Sequence, residues 1–133
     1  MSREATSGGT ALKQVRGLGS AKHGAHHWWD QRLSAVGNMI LTPWLVVSIA
    51  RLPGYTPEIL AAWLSSAWAA VPLILFTLSV LWHVRLGLQV VIEDYQHDES
   101  QVVLLLLMNL FVVALGATAL FSILKLALTG TAA

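Results

Sequence analysis

The stretch QVVLLLLMNLFVVALGATALFSIL, Gln101 to Leu124, decides the fold. No charged side chain interrupts it, and a helix of this length, at ~1.5 Å per residue, covers the ~30 Å hydrocarbon core of a bilayer. Lys125 ends it, and the polar connection His97-Asp98-Glu99-Ser100 precedes it, with Asp98 and Gln101 at capping-box spacing. Toward the N-terminus, a second uncharged run extends from Ile59 to Val84, and its helical pattern continues to Tyr95. One helix from Pro57 to Tyr95 would measure ~58 Å, nearly twice the hydrocarbon thickness, so a break is expected. The sequence therefore predicts a short interfacial helix near Pro57–Trp68 and a span that opens at Pro72 and closes near Tyr95. Further upstream, Leu33 to Ala50 is free of charge between Arg32 and Arg51. Pro43 within it is tolerable, because neighbours in a membrane protein re-satisfy the freed backbone groups. Arg51-Leu-Pro-Gly-Tyr-Thr-Pro-Glu58 reads as a turn by its Pro-Gly pair, then Thr56 as an N-cap with Pro57 at the first helical position. The expected fold class is an all-α integral membrane protein. Three transmembrane helices, at about 33–50, 72–95 and 101–124, lie in a three-helix membrane domain over 24–133. A short interfacial helix precedes the second span, and a flexible basic arm occupies residues 1–23.

Composition agrees. Of the 133 residues, 56% are hydrophobic and only 11% charged, against about 25% charged in a soluble domain. A net charge of +1 argues against a nucleic-acid partner. The absence of cysteine excludes disulfides, zinc thiolates and iron–sulfur ligation by this chain. The first 32 residues hold five of the eight basic side chains, Arg3, Lys13, Arg16, Lys22 and Arg32, with no apolar run of the kind a secretory signal requires. Glu4 and the lack of an amphipathic stripe argue against a transit peptide. The positive-inside rule then sets the N-terminus in the cytoplasm, across a bacterial inner membrane, with the mitochondrial inner membrane as the second choice. Trp28 and Trp29 are expected at the inner interface and Tyr55 and Trp63 at the outer one. Trp44, Trp68 and Trp82 are read as packing residues, and His97 as solvated.

The informative residues are the polar ones in the second span. His83 falls near its middle, Gly87 four residues on shares its face, and Asp94 returns to the same stripe after eleven. His83 and Asp94 are then ~16 Å apart along the axis, with Tyr95 beside Asp94. Each has a plain reading. A membrane histidine hydrogen-bonds across helix interfaces, a glycine permits close packing, and an Asp-Tyr pair can simply mark a helix end at the headgroups. Ionisable groups within spans are nevertheless rare and usually functional. Arg85, roughly opposite His83 around the helix, must face protein, a propionate or a snorkelling path. Gln89 suits a helix or cofactor interface without a specific assignment.

The run His83-Val-Arg-Leu-Gly87-Leu-Gln89-Val-Val-Ile-Glu-Asp94-Tyr95 resembles the hydrophobic membrane-anchor subunit of succinate dehydrogenase (respiratory complex II), among the small cytochrome b556 anchors. That family's mark is a histidine, a glycine four on, and an Asp-Tyr pair eleven and twelve on. Gly24-Ala-His26-His27-Trp28-Trp29-Asp30-Gln31-Arg32 is similar to the family's lead into its first helix. The resemblance covers about residues 24–125.

What the resemblance implies is specific. His83 would be one axial ligand of haem b, with the iron's other ligand a histidine of the companion anchor, the cytochrome b subunit. His26 and Arg32 would face the haem propionates; arginine is a natural fork for a carboxylate, although Arg32 serves equally as a topology anchor. Tyr95 would hydrogen-bond a ubiquinone carbonyl, and Asp94 would orient that network or relay protons. The chain would be a membrane subunit of succinate:ubiquinone oxidoreductase that binds no succinate itself. FAD would reside in the flavoprotein subunit, and the iron–sulfur clusters in the iron–sulfur subunit. A purely structural anchor without haem and a fumarate reductase anchor are the alternatives.

Overall fold

The computed structural model describes residues 24–129, so the expected basic arm lies outside the described residues. Four helices follow in order: α1 (Gly24–Ala50), α2 (Pro57–Leu64), α3 (Ala67–Tyr95) and α4 (Ser100–Thr129). There is no strand among the described residues. Helices α1, α3 and α4 are long and apolar enough to cross a membrane. At 27, 29 and 30 residues they measure ~40–45 Å, which matches a bilayer including its headgroup zones.

Three boundaries differ from the sequence expectation. Helix α1 begins at Gly24, well before Leu33, because the helix continues through the polar residues that the headgroup zone accommodates. Helix α2 stops at Leu64, and α3 starts at Ala67, leaving Pro72 inside α3 rather than at its start. The break falls at Ser65–Ser66, where Ser66 takes an extended conformation (φ −81°, ψ 129°) and accepts the first backbone bonds of the new helix from Ala69 and Ala70. Pro72 lies past the first turn, where it forfeits the ladder bond to the Trp68 carbonyl and crowds it, a cost that membrane helices offset when neighbouring groups re-satisfy the freed carbonyl. Helix α4 runs past Lys125 to Thr129: a lysine near a helix end can reach the interface without ending the helix.

The turn before α2 matches its sequence reading in outline. Thr56 is extended, with Pro57 in the first turn, but the threonine side chain makes no capping bond to the backbone. Before α4, Gln101 N–H donates to the backbone carbonyl of Asp98 at 2.9 Å, a turn bond in place of the side-chain bonds of the expected capping box.

Helix α3 is central. It packs along α1 on one side and α4 on the other, while α1 and α4 do not pack on each other. Helix α2 rests on α3 and α4, and its Trp63 stacks on Trp44 of α1 (centroids 6.3 Å apart). Trp68, expected to pack, is instead 88% exposed. It stands on the outward side of the first turn of α3, where a membrane protein can present an aromatic ring to lipid. Only a thin seam is buried, including Leu64, Ala69, Ala70, Leu86, Met108 and Ile123. Small residues set how close the helices come: a Cβ on Gly116 would lie 3.1 Å from Leu81 Cδ1, and one on Gly37 would lie 2.8 Å from Ser79 Oγ. Close approach over small residues is how membrane helices gain packing energy without a hydrophobic drive between them.

Candidate functional site

The site is built on the seam between α1 and α3. His27, Gln31, Ser34 and Asn38 recur at i, i+4, i+7 and i+11 on α1, so they share one face. Ser34 is 6% exposed. Its Oγ donates to Gln31 O at 3.0 Å and lies 3.1 Å from Nδ1 of His83 on α3. Ser79 Oγ donates to Ser34 O at 3.1 Å, a second polar tie across the same seam. His27 Nε2, Gln31 Oε1 and Asn38 Oδ1 are buried without a hydrogen-bond partner. Three such atoms on one face of one helix are unusual, because buried polar groups are ordinarily paired.

One turn from His83 toward the C-terminal end of α3, the seam opens. A cleft of about 530 Å³ is lined by His27, Trp28, Gln31, Arg32, Gly87 and Val90. A Cβ at Gly87 would meet nothing within 4 Å, so this glycine does not serve close packing inside the chain; it leaves room. Arg32 stands with its guanidinium carbon 4.8 Å from the centre of the Trp28 ring, a cation–π contact at the cleft wall. His26 is exposed and does not line the cleft; its neighbour His27 does. Sequence reasoning passes over His27, Gln31 and Ser34. Their only signal is helical spacing within a segment too polar to read as part of a span.

Asp94 and Tyr95 lie at the C-terminal end of α3, exposed, with Tyr95 at 79%. The fold does not bring them against His83, which stays three turns away on the same helix. Gln89 donates to Glu93 Oε1 at 2.8 Å, a local pair one turn apart. Arg85 resolves toward protein: its Nε donates to Asn109 Oδ1 of α4 at 2.6 Å, and Asn109 Nδ2 donates to Leu105 O at 2.7 Å. The guanidinium also lies over the Trp82 ring at 5.2 Å.

The cleft's residues could hold one edge of a flat, anionic cofactor such as haem, although His83 itself is not among those lining it. It has a floor without a side chain at Gly87, an arginine and a histidine on its wall, and unpartnered polar atoms on His27 and Gln31. Among the described residues there is no group of three or more His, Cys, Asp or Glu side chains that could hold a metal.

Comparison with known proteins agrees with the geometry. Residues 6–125 match the family model described as succinate dehydrogenase/fumarate reductase transmembrane subunit. The succinate dehydrogenase hydrophobic membrane anchor subunit of Paracoccus denitrificans is 29% identical over 119 residues, covering 90% of this chain and 92% of that one. The protein of the same name from Rickettsia bellii is 33% identical over 84 residues (63% and 67% of the two chains). The succinate dehydrogenase membrane anchor subunit of Reclinomonas americana is 33% identical over 82 residues (59% and 68%). No solved structure matches significantly. With three apolar spans, an α1–α3 seam centred on His83 and a family match along most of its length, the chain belongs to the succinate dehydrogenase/fumarate reductase transmembrane subunits, as a hydrophobic membrane anchor.

Proposed function

We propose that this anchor holds haem b between itself and the cytochrome b subunit, and contributes to ubiquinone reduction with electrons from succinate. His83 would hold the haem iron from this chain, together with a histidine of the companion anchor. Arg32, with His26 or the cleft-lining His27, would meet the propionates. The observation that carries this reading is Gly87: an open position in a membrane helix, one turn from a histidine and beside an arginine-walled cleft. A bound haem supplies one-electron redox chemistry in the low-dielectric interior, with its potential set by ligand identity and burial.

The chain's own residues do the rest. Tyr95 would donate its phenol proton in a hydrogen bond to a ubiquinone carbonyl, and Asp94 would orient that donor. A phenol at a helix end stands where an apolar slot for the quinone tail meets water that supplies protons. The exposure of both residues suits a pocket completed by other chains: the companion cytochrome b anchor and the iron–sulfur protein, with the flavoprotein beyond. The basic N-terminal segment favours an N-terminus in the cytoplasm of a bacterial cell. All the relatives named above are succinate dehydrogenases, which favours succinate oxidation over fumarate reduction.

A second reading keeps the chain as a bare structural anchor, and the Ser34–His83 and Ser79–Ser34 bonds favour it, since they tie α1 to α3 with no cofactor between them. A dithionite-reduced minus oxidised spectrum separates the two. The complex is purified through a tag on this chain, with haem supply ensured. A b-type spectrum that disappears in His83→Leu is the expected result; a wild-type complex with flavin and iron–sulfur signals but no b-type band leaves only the structural anchor.

A further inference from the structure

The geometry points to Ser34 as a positioning residue that fixes the tautomer and orientation of His83 for iron. This inference rests on the haem-ligand reading of His83 given above. A serine hydroxyl has one proton. Ser34 Oγ lies 3.0 Å from Gln31 O, a carbonyl that can only accept, so the hydroxyl proton is used there. The 3.1 Å contact with His83 Nδ1 can then be a hydrogen bond only if Nδ1 carries a proton and donates it to Oγ. The imidazole is thereby held as the Nδ1–H tautomer, with the lone pair left on Nε2, the arrangement in which a neutral histidine binds a metal.

Ser34 is itself held firmly. It is nearly fully buried, its carbonyl accepts from Ser79 Oγ at 3.1 Å, and the small Gly37 lets α1 approach that serine. The hydrogen bonds thus run from His83 Nδ1–H to Ser34 Oγ, and from Ser34 Oγ–H to Gln31 O. An acceptor on the distal N–H of a metal-bound histidine orients the ring and raises its basicity; loss of such a partner typically weakens metal binding 10–100-fold. A more basic ligand favours oxidised iron, so Ser34 lowers the haem potential relative to a site without it.

The test uses the complete membrane complex carrying Ser34→Ala, Ser34→Cys or Ser34→Thr, with His83→Leu alongside. Haem per flavin is measured after detergent washing, and the haem midpoint potential by redox titration. Ser34→Ala is expected to lose haem at least about tenfold more readily and to show a higher potential, and Ser34→Thr to return both toward wild type because it keeps the hydroxyl. If the alanine complex does not assemble, Ser34→Cys, similar in size and a much weaker acceptor, is expected to show the raised potential. A wild-type potential and haem content in Ser34→Ala or Ser34→Cys, or a threonine complex that behaves like alanine, overturns the role of Ser34 and leaves the ligand reading standing. Full haem in His83→Leu overturns the ligand reading itself, and the tautomer argument with it.

Discussion

Glycine serves two ends in these helices, and substitution separates them. Gly116 faces Leu81 closely enough that a Cβ would sit at 3.1 Å from its Cδ1, so Gly116→Val, with two methyls beyond that Cβ, crowds the α3–α4 contact. Overpacking of that kind costs about 1–3 kcal/mol, and the expected outcome is an earlier thermal loss of the purified complex. Gly87 has no atom within 4 Å of its would-be Cβ. Gly87→Leu is therefore expected to leave insertion and assembly intact while emptying the complex of haem, read as a normal subunit ratio with a diminished b-type band. A normal band in Gly87→Leu would show that the cleft is not the haem's seat. The Arg85–Asn109 pair makes a different kind of prediction. Asn109→Leu strands a guanidinium deep in the membrane, where loss of a hydrogen bond to a charged group costs about 1.5–3 kcal/mol. Replacing both at once, Arg85→Met with Asn109→Leu, is expected to recover most of that stability. A double-mutant cycle on thermal stability in detergent measures the coupling, and additive losses would mean that the 2.6 Å bond contributes nothing.

Helix number and order are legible in the sequence because charges interrupt apolar runs, and burying a charge in lipid is expensive enough to set the pattern. Helix ends are not. Gly24 to Arg32 is polar, so hydropathy alone excludes it from the first span, yet backbone hydrogen bonding continues the helix through it. That extension is what arrays His27, Gln31 and Ser34 on one face, which is why the sequence points to His83 and Gly87 and misses their neighbours across the seam. Serine in a membrane helix is ordinary by itself; only the fold brings Ser34 against a residue 49 positions away. Helix α2 offers the clearest test of a single element. Its Trp63 stacks on Trp44, a pairing worth about 0.5–1.5 kcal/mol beyond area burial. Trp63→Ala is expected to speed amide exchange across residues 57–64 and leave α3 and α4 protected. At the head of α2, its own backbone N–H and then the Thr56 hydroxyl hold the Glu58 carboxyl below its usual range. A depressed pKa stabilises the folded form above the unfolded value, and the contribution disappears as pH falls through the folded one. Protection of the α2 amides, taken relative to their intrinsic exchange rate at each pH, should accordingly fall on acidification, and Glu58→Gln should remove that dependence.

At the scale of the molecule, the described helices have too little interior to stand alone. At most 11% of the apolar window in any of the three long helices is buried, and large side chains such as Leu33, Met39, Phe111 and Val113 are exposed. Lipid can cover part of that surface, but α1 and α4 do not pack on each other, so both flanks of the central helix keep surface accessible to another protein. The flank beside α1 is the one with the arginine-walled cleft and the unpartnered polar atoms. Polar groups of that kind are costly against hydrocarbon. A second anchor chain seated there would bury the cleft, whereas the outer face of α4 would stay in lipid. The chain has no native cysteine, so single labels are clean. A nitroxide at Val90→Cys, on the cleft, is expected to lose accessibility to dissolved oxygen when the rest of the complex is co-expressed. One at Phe111→Cys, 65% exposed on α4, is expected to keep its accessibility. The reverse pattern would move the partner to the α4 side and take the shared haem site away from the Gly87 cleft.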